Sequence, residues 1–359
     1  MLYHILYPLS KYVTFFNVFG YITVRAATAF VISFILSLVL FPPFIRKMKA
    51  WKASQIIRTD GPESHLIKVG TPTMGGLVVI VVAIITMVLC GNLSNLYILV
   101  LLFCTISFGI IGMIDDFLKL SKKSSDGLHA KFKLISQIIL ALIVTLCIYF
   151  IMGKSAGEIS IPFVKSFKLD ISIFYIPFGV FLITGFSNAV NLTDGLDGLA
   201  GGLLMLVFAT FGLLSYIFGH KEIADYLLVD YLPQASEVLV YCFAMLGGLI
   251  GFLWFNSHPA DIFMGDTGSL SFGGIIGTIA MMIRQEFLLG IVGGVFVAET
   301  LSVIIQVISY KRTGKRVFLM APLHHHFELK GWHESKIITR FWIIGAILAV
   351  VALSSLKLR

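Results

Sequence analysis

Apolar runs long enough to cross a bilayer recur from one end of this sequence to the other, separated by short polar breaks. About 18 or more apolar residues span a hydrocarbon core of ~30 Å as a helix. Ten such runs stand at roughly 22–45, 73–91, 95–114, 132–152, 172–190, 199–219, 237–256, 268–284, 287–309 and 339–356. They are too long and too uniformly apolar for alternating barrel strands, whereas a helix satisfies its backbone hydrogen bonds internally. With 58% hydrophobic and 13% charged residues and a mean hydropathy of +0.95, the chain has too little polar surface for a water-soluble globule. No soluble domain fits between the runs, so residues 1–359 read as one integral membrane domain. The expected fold class is an all-α polytopic membrane protein of about ten transmembrane helices.

Orientation follows from the basic residues in the breaks. With both termini outside, the first inner loop carries Arg46, Lys47, Lys49, Lys52, Arg58 and Lys68, and the second carries Lys119, Lys122, Lys123, Lys131 and Lys133. The last carries Lys311, Arg312, Lys315, Arg316, Lys330, Lys336 and Arg340. Eighteen of the 27 Lys and Arg then face the cytoplasm, as the positive-inside rule asks. The net charge of +8 is thus one-sided, suited to anionic lipid head groups and phosphorylated substrates. Nucleic acid is not the expected partner, because no separate basic domain exists.

Cys90, Cys104, Cys147 and Cys242 lie within or at the edges of apolar runs with no C-x-x-C spacing, which implies neither a disulfide framework nor a zinc site. No small-residue cleavage site follows the first run, so it reads as retained. The pairs Gly247/Gly251 and Gly273/Gly277 predict close helix packing. The outer segment 154–171 alternates as a short hairpin would.

Nineteen carboxylates are few for 359 residues, so their placement is informative. Asp115, Asp116, Asp194, Asp197, Asp261 and Asp266 stand at the inner ends of different runs, where three loops would meet. Adjacent carboxylates stay ionised together only with a cation or proton between them, and a hard divalent ion is the simplest supplier. Lys119, at i+4 from Asp115 and i+3 from Asp116, offers a plain intrahelical pair but leaves a negative excess. In Asn191-Leu-Thr-Asp194-Gly-Leu-Asp197, Thr193 or Asp194 can cap the following helix, with Asp194 and Asp197 on one face. In Asn256-Ser-His258-Pro-Ala-Asp261-Ile-Phe263-Met-Gly265-Asp266, the glycine lets backbone approach a ligand, and Asp266 is a helix cap or a metal ligand.

Two more features lie near the C-terminus. His324, His325 and His326 cannot all point one way, which argues against a three-His zinc site, but imidazoles near a phosphate can donate to it. Glu299 and Gln306, seven residues apart, share a helix face, and a mid-membrane charge should face the bundle interior. Whether Glu299 serves function or packing stays open here.

The blocks Gly70-Thr-Pro-Thr73-Met-Gly-Gly76, Ile111-Gly-Met-Ile-Asp-Asp-Phe-Leu-Lys119, Asn191-Leu-Thr-Asp-Gly-Leu-Asp-Gly-Leu-Ala200, Phe263-Met-Gly-Asp-Thr-Gly268 and Ala321-Pro-Leu-His-His-His-Phe-Glu-Leu-Lys-Gly-Trp332 carry a resemblance. In this order, from about residue 60 onward, they resemble the phospho-N-acetylmuramoyl-pentapeptide translocases, within the polyprenyl-phosphate N-acetylhexosamine-1-phosphate transferases. The resemblance implies Asp266 as a Mg²⁺ ligand, Asp115 and Asp116 as paired catalytic acids, and His324 at the head of the histidine motif. It implies Asp194 in the cleft, Lys119, Lys123 and Lys133 as its basic positions, and the Asn191–Asp197 loop with Phe263 as a uridine-binding wall. Lys68, Thr73, Asn256, Gln306, His325 and His326 complete the expected substrate-binding set.

The implied reaction takes phospho-N-acetylmuramoyl-pentapeptide from its UDP donor to undecaprenyl phosphate, with Mg²⁺, and releases UMP. A greasy acceptor calls for a membrane enzyme; a soluble diphosphate donor calls for a cationic cytoplasmic cleft in the bacterial inner membrane. Direct attack by the lipid phosphate, with Asp116 positioning or deprotonating it, is expected over an aspartyl-phosphate. A UDP-N-acetylglucosamine transferase of the same superfamily and, more remotely, a secondary transporter remain as other readings. The sequence leaves a homodimer open.

Overall fold

The computed structural model describes residues 2–51, 70–122, 127–164 and 168–357. Lys68 and Lys123 lie outside them. After short irregular helical turns, the chain runs through α1 (Ile22–Ala50), α2 (Gly75–Cys90), α3 (Leu96–Lys122) and α4 (Ala130–Met152). Strands β1 (Glu158–Ser160) and β2 (Lys168–Asp170) follow, pairing antiparallel with Ile159 opposite Leu169, so the alternating outer segment is a hairpin. Then come α5 (Tyr175–Thr193), α6 (Leu199–Gly219), the short α7 (Lys221–Leu227), α8 (Ser236–Asn256), α9 (Gly265–Met282), α10 (Glu286–Val292), α11 (Gly294–Thr313), α12 (Leu323–Leu329) and α13 (Glu334–Ser354).

All ten predicted spans are represented by helix. Among the described residues, α1, α3, α4, α5, α6, α8, α11 and α13 are long and apolar enough to cross a membrane, which makes this a multi-pass membrane protein. The other two differ in length and polarity: α2 has 16 residues, and α9 opens on the polar Gly265-Asp-Thr-Gly-Ser. The run expected at 287–309 is two helices, broken at Gly293. Consecutive glycines are a common cause of such a break, since they hold helical geometry poorly.

Burial separates a central layer from a lipid-facing one. The apolar window of α8 is 72% buried and that of α11 only 22%. On α1, Val31, Ile35 and Val39 are exposed at helical spacing, as are Leu301, Ile304, Ile305 and Ile308 on α11. Such stripes suit hydrocarbon, whose tails are as apolar as the side chains themselves. The small-residue pairs do what their spacing predicts: Gly247 and Gly251 sit against Phe30 and Ser37 of α1, and Gly273 and Gly277 against Phe186 and Ile183 of α5. Helix α9 packs along both α3 and α5, and this brings three loop junctions to one end of the bundle.

Candidate active site

Asp115 and Asp116 occupy the last turns of α3 and are both buried. Asp266 lies in the first turn of α9, which runs against α3 in the opposite sense. The approach is close because position 112 is glycine: a Cβ there would come 2.2 Å from the carbonyl oxygen of Asp266. One carboxylate oxygen from each of Asp115, Asp116 and Asp266 lies within 4.8 Å of the others.

The three acids are held differently. Asp116 accepts hydrogen bonds from the Asp266 amide (3.0 Å) on Oδ1, and from the Thr267 amide (2.9 Å) and hydroxyl (2.7 Å) on Oδ2. It thus caps α9 from a neighbouring helix, taking free N–H groups of the first turn. Asp266 is therefore the capped residue and not a cap. Asp115 accepts the Leu128 amide (2.8 Å) on Oδ1, and its Oδ2 lies 2.6 Å from the Lys119 ammonium. Asp266 Oδ2 accepts from Lys133 (2.5 Å) and Lys119 (3.0 Å), and Oδ1 accepts from Asn191 Nδ2 (3.0 Å). The intrahelical Asp115–Lys119 pair exists, yet the lysine bridges to Asp266 as well.

Thr73 is buried beside Gly265, because residues 72–76 pair through their backbones with Phe263 and Met264. Asp194 closes α5 and follows Thr193 into a turn. Although part of its surface stays open, its carboxyl is pushed up to about 8 by burial and by the neighbouring Asp266, Asp116 and Asp197 carboxylates. The expected capping by Thr193 or Asp194 does not occur: α6 starts after Gly198, with no side-chain cap. Nor do Asp194 and Asp197 share a helix face, since both precede α6. Asp197 Oδ2 instead takes the Ala260 amide (3.2 Å) and stands 3.1 Å from His258 Nδ1, with Glu334 completing a second His-carboxylate group. Asp261 is exposed and stands outside both groups.

Several residues expected at the substrate are engaged with the protein. Asn256 is buried, donates to Ile262 O (2.8 Å) and accepts from Gly198 N (2.9 Å), so it ties the two loops that flank half-buried Phe263. Gln306 accepts from the amides of Val317 and Phe318 and donates to Phe318 O (2.9 Å). The three histidines diverge, as expected. His324 is buried near Glu299, His325 contacts Glu328 (2.7 Å), and His326 accepts the Leu319 amide (3.1 Å). Burial and nearby Lys330 lower the His326 imidazole from its ordinary value. Glu334 and Thr267 carry weight in these groups without having been singled out; Thr267 sits within the Gly265–Gly268 block, and nothing in the sequence marks Glu334.

The profile of the family described as Glycosyl transferase family 4 matches residues 98–284. Proteins named phospho-N-acetylmuramoyl-pentapeptide-transferase are similar over the whole chain. That of Thermodesulfovibrio yellowstonii is 51% identical over 361 residues, and that of Pelobacter propionicus 52% over 359, each covering 100% of both chains. That of Borreliella afzelii is 48% identical over 340 residues, 94% of this chain and 97% of its own.

Proposed function

The chain belongs to the phospho-N-acetylmuramoyl-pentapeptide-transferase family, and from that premise we propose that it moves phospho-N-acetylmuramoyl-pentapeptide from UDP to undecaprenyl phosphate. The bond between the two donor phosphates breaks, an acceptor phosphate oxygen joins the sugar-bearing phosphorus, and UMP leaves. The observation that carries this reading is the group of three carboxylates, flanked by Lys119 and Lys133, at one end of a membrane bundle. Phosphoryl transfer is mostly positioning and charge neutralisation, for which such a group is suited. A transporter would spread its acids along a transmembrane path instead.

Asp115, Asp116 and Asp266 fit a hard divalent cation such as Mg²⁺: the donors are all oxygen, and they already converge. When bound, Mg²⁺ would supply Lewis-acid neutralisation of phosphate charge. Asp266 and Asp115 would be its main ligands. Asp116 has both oxygens engaged by α9, so it orients Asp266 and is badly placed as a nucleophile or as a base toward the acceptor. This argues against a covalent intermediate on Asp116. Lys119 and Lys133 neutralise the Asp115 and Asp266 carboxylates, and with the metal bound their ammoniums would be the ones to face the donor diphosphate. Asn191, Asp194 and Phe263 would line the nucleotide side, with Thr73, Asp197, Asn256, Gln306, His325 and His326 shaping the loops around it. The cleft would face the cytoplasm of a bacterial cell, with both termini outside and the basic loops inward.

UMP release measured with the UDP donor, undecaprenyl phosphate and Mg²⁺ tests the reading. Turnover is expected only with all three present. Equal turnover with a UDP-N-acetylglucosamine donor would displace the muramoyl assignment, and stoichiometric UMP release from donor alone would favour a covalent route. A reporter inserted near Lys315 should read cytoplasmic and one after Arg359 external; the reverse would overturn the orientation.

A further inference from the structure

We propose that Gln137 is a positioning residue for the transfer: through Ser187 and Asn188 it fixes the register of α4 against α5, and so holds the Lys133 ammonium on Asp266. The inference rests on the transferase reading above. At the acidic end, helix α4 is held by few side chains. Of residues 130–140, Gln137 alone is buried, while Phe132, Leu134, Ile135, Ile138 and Ile139 are exposed as a lipid-facing stripe. The other buried positions of α4, Ala141, Val144, Thr145 and Ile148, lie further along the helix, away from Lys133. A buried amide is costly in such surroundings unless both its nitrogen and its oxygen find partners. Here they do: Gln137 Nε2 donates to Ser187 Oγ (3.3 Å), and Gln137 Oε1 accepts from Asn188 Nδ2 (3.0 Å). Ser187 carries the connection on to α9 by donating to the Leu270 carbonyl (2.9 Å).

The same three helices meet again one turn nearer the acidic group. Lys133 precedes Gln137, Asp266 precedes Leu270 and Asn191 follows Asn188, each by about one helical turn. In that layer Lys133 donates to Asp266 (2.5 Å), and Asn191 donates to Asp266 (3.0 Å) and to Ser269 (2.8 Å). The layer of Gln137 is uncharged and its bonds run from helix to helix, so what it contributes is placement. Slipping α4 by one turn would bring Lys133 or Ala141 into the place of Gln137, and neither side chain can both donate to Ser187 and accept from Asn188. Every residue of α4 between Gln137 and Thr145 is apolar, and no other residue of the helix carries an amide side chain. One register therefore satisfies both layers. Lysine is a point charge on a flexible stem, so the place of its ammonium depends on where the backbone beneath it is held.

The test measures acceptor-dependent UMP release by wild type, Gln137→Leu, Lys133→Met, the double variant Gln137→Leu/Lys133→Met, and Thr145→Val as a control. Gln137→Leu keeps the bulk but drops both hydrogen bonds, and kcat/KM for the donor should fall about three- to tenfold, no further than removal of the ammonium itself takes it. The double variant should be no slower than Lys133→Met alone. Thr145→Val alters a buried polar residue of the same helix two turns on, and should stay within about twofold of wild type. Wild-type kcat/KM in Gln137→Leu, an equal loss in Thr145→Val, or a double variant slowed by the product of the two single losses would overturn the proposal. Should Gln137→Leu fail to fold, Ser187→Ala breaks the same bond from α5 by a smaller change, and the same pattern is expected. Amide hydrogen exchange of the full chain in bilayers supplies a second measurement: loss of either partner should speed exchange over residues 130–137 and leave 141–152 as in wild type. Unchanged exchange over 130–137 would overturn the proposal. That measurement is independent of turnover, so failure of the transferase reading would show separately, as a wild type that releases no UMP.

Discussion

Arg25 and Glu237, at the N-terminal ends of α1 and α8, bury their charges at the end of the bundle opposite the carboxylates of α3 and α9. There Arg25 meets Glu237 fork to fork, at 2.9 and 2.6 Å, with the Tyr3 ring 4.4 Å from the guanidinium. One cation faces one anion, and each carboxylate oxygen has a donor. Arg284, just past α9 at the same end, is likewise shared between Glu158 and Asp230. Among the described residues, three carboxylates at the other end divide two ammoniums, and Lys119 keeps about a third of its side chain exposed (32%). Burial is common to both ends; what differs is the balance. A charge pair closed on itself needs nothing more, whereas an acidic excess beside open lysines needs a further cation and leaves ammoniums to move.

If that imbalance is what matters, Asp266→Asn should have the largest effect. The amide keeps the shape but drops the charge a hard cation needs, so kcat should fall about 10²–10³-fold, with half-saturation moving to higher Mg²⁺. Near wild-type turnover at the same Mg²⁺ would reduce the cluster to another structural network. Asp116→Asn should come next, at about 10–100-fold, because its carboxylate orients Asp266 from behind. It should also lower stability by about 1–3 kcal/mol, since an amide turned either way faces an N–H of α9 with a donor of its own. A loss of activity without any loss in a thermal melt would point to direct contact with substrate instead. Lys133→Met should cost about tenfold in kcat/KM for the donor, the scale of one hydrogen bond to a charged group. An unchanged donor KM together with a lowered kcat would sharpen the picture, by assigning Lys133 to the transition state alone.

The parts of this architecture visible in the sequence are those set by local chemistry. Run length marks the spans, alternation marks the hairpin at 158–170, and scarce carboxylates at span ends mark the acidic cluster. What sequence could not resolve depends on partners far apart in the chain. Asp116 reaches an amide 150 residues away, and it does so only because α3 has glycine at position 112. The Asp197 amide donates to Glu334, 137 residues on, and its carboxylate takes the Ala260 amide, which withdraws it from a face shared with Asp194. The amide of Gln306 is spent on residues 317 and 318, in a loop whose path no periodicity describes. The acids that would serve chemistry and those that serve architecture look alike in sequence; their hydrogen-bond partners separate them.

The smallest expected effect on turnover lies at the balanced end. Removing one partner there, as in Glu237→Leu, leaves the Arg25 guanidinium buried with the Tyr3 ring and no carboxylate, which should cost about 3–5 kcal/mol of stability. Replacing both, as Arg25→Met with Glu237→Leu, removes the charges together, and apolar side chains of similar volume pack without the desolvation penalty. The double variant should then regain most of the single variant's loss in a thermal melt. It should still fall short of wild type, because the Asn92 amide, 3.3 Å from Glu237 Oε2, loses its acceptor and the cation–π contact goes, at about 0.5–1 kcal/mol. Through all of this kcat per folded molecule should stay within about twofold, since the pair touches α1, α8 and the loop before α3 but none of the residues around Asp266. A fall of tenfold or more in kcat for the double variant, at undiminished thermal stability, would mean that the two ends are coupled along α3 or α8, and charge balance would no longer separate the architectural end of the bundle from the reacting one.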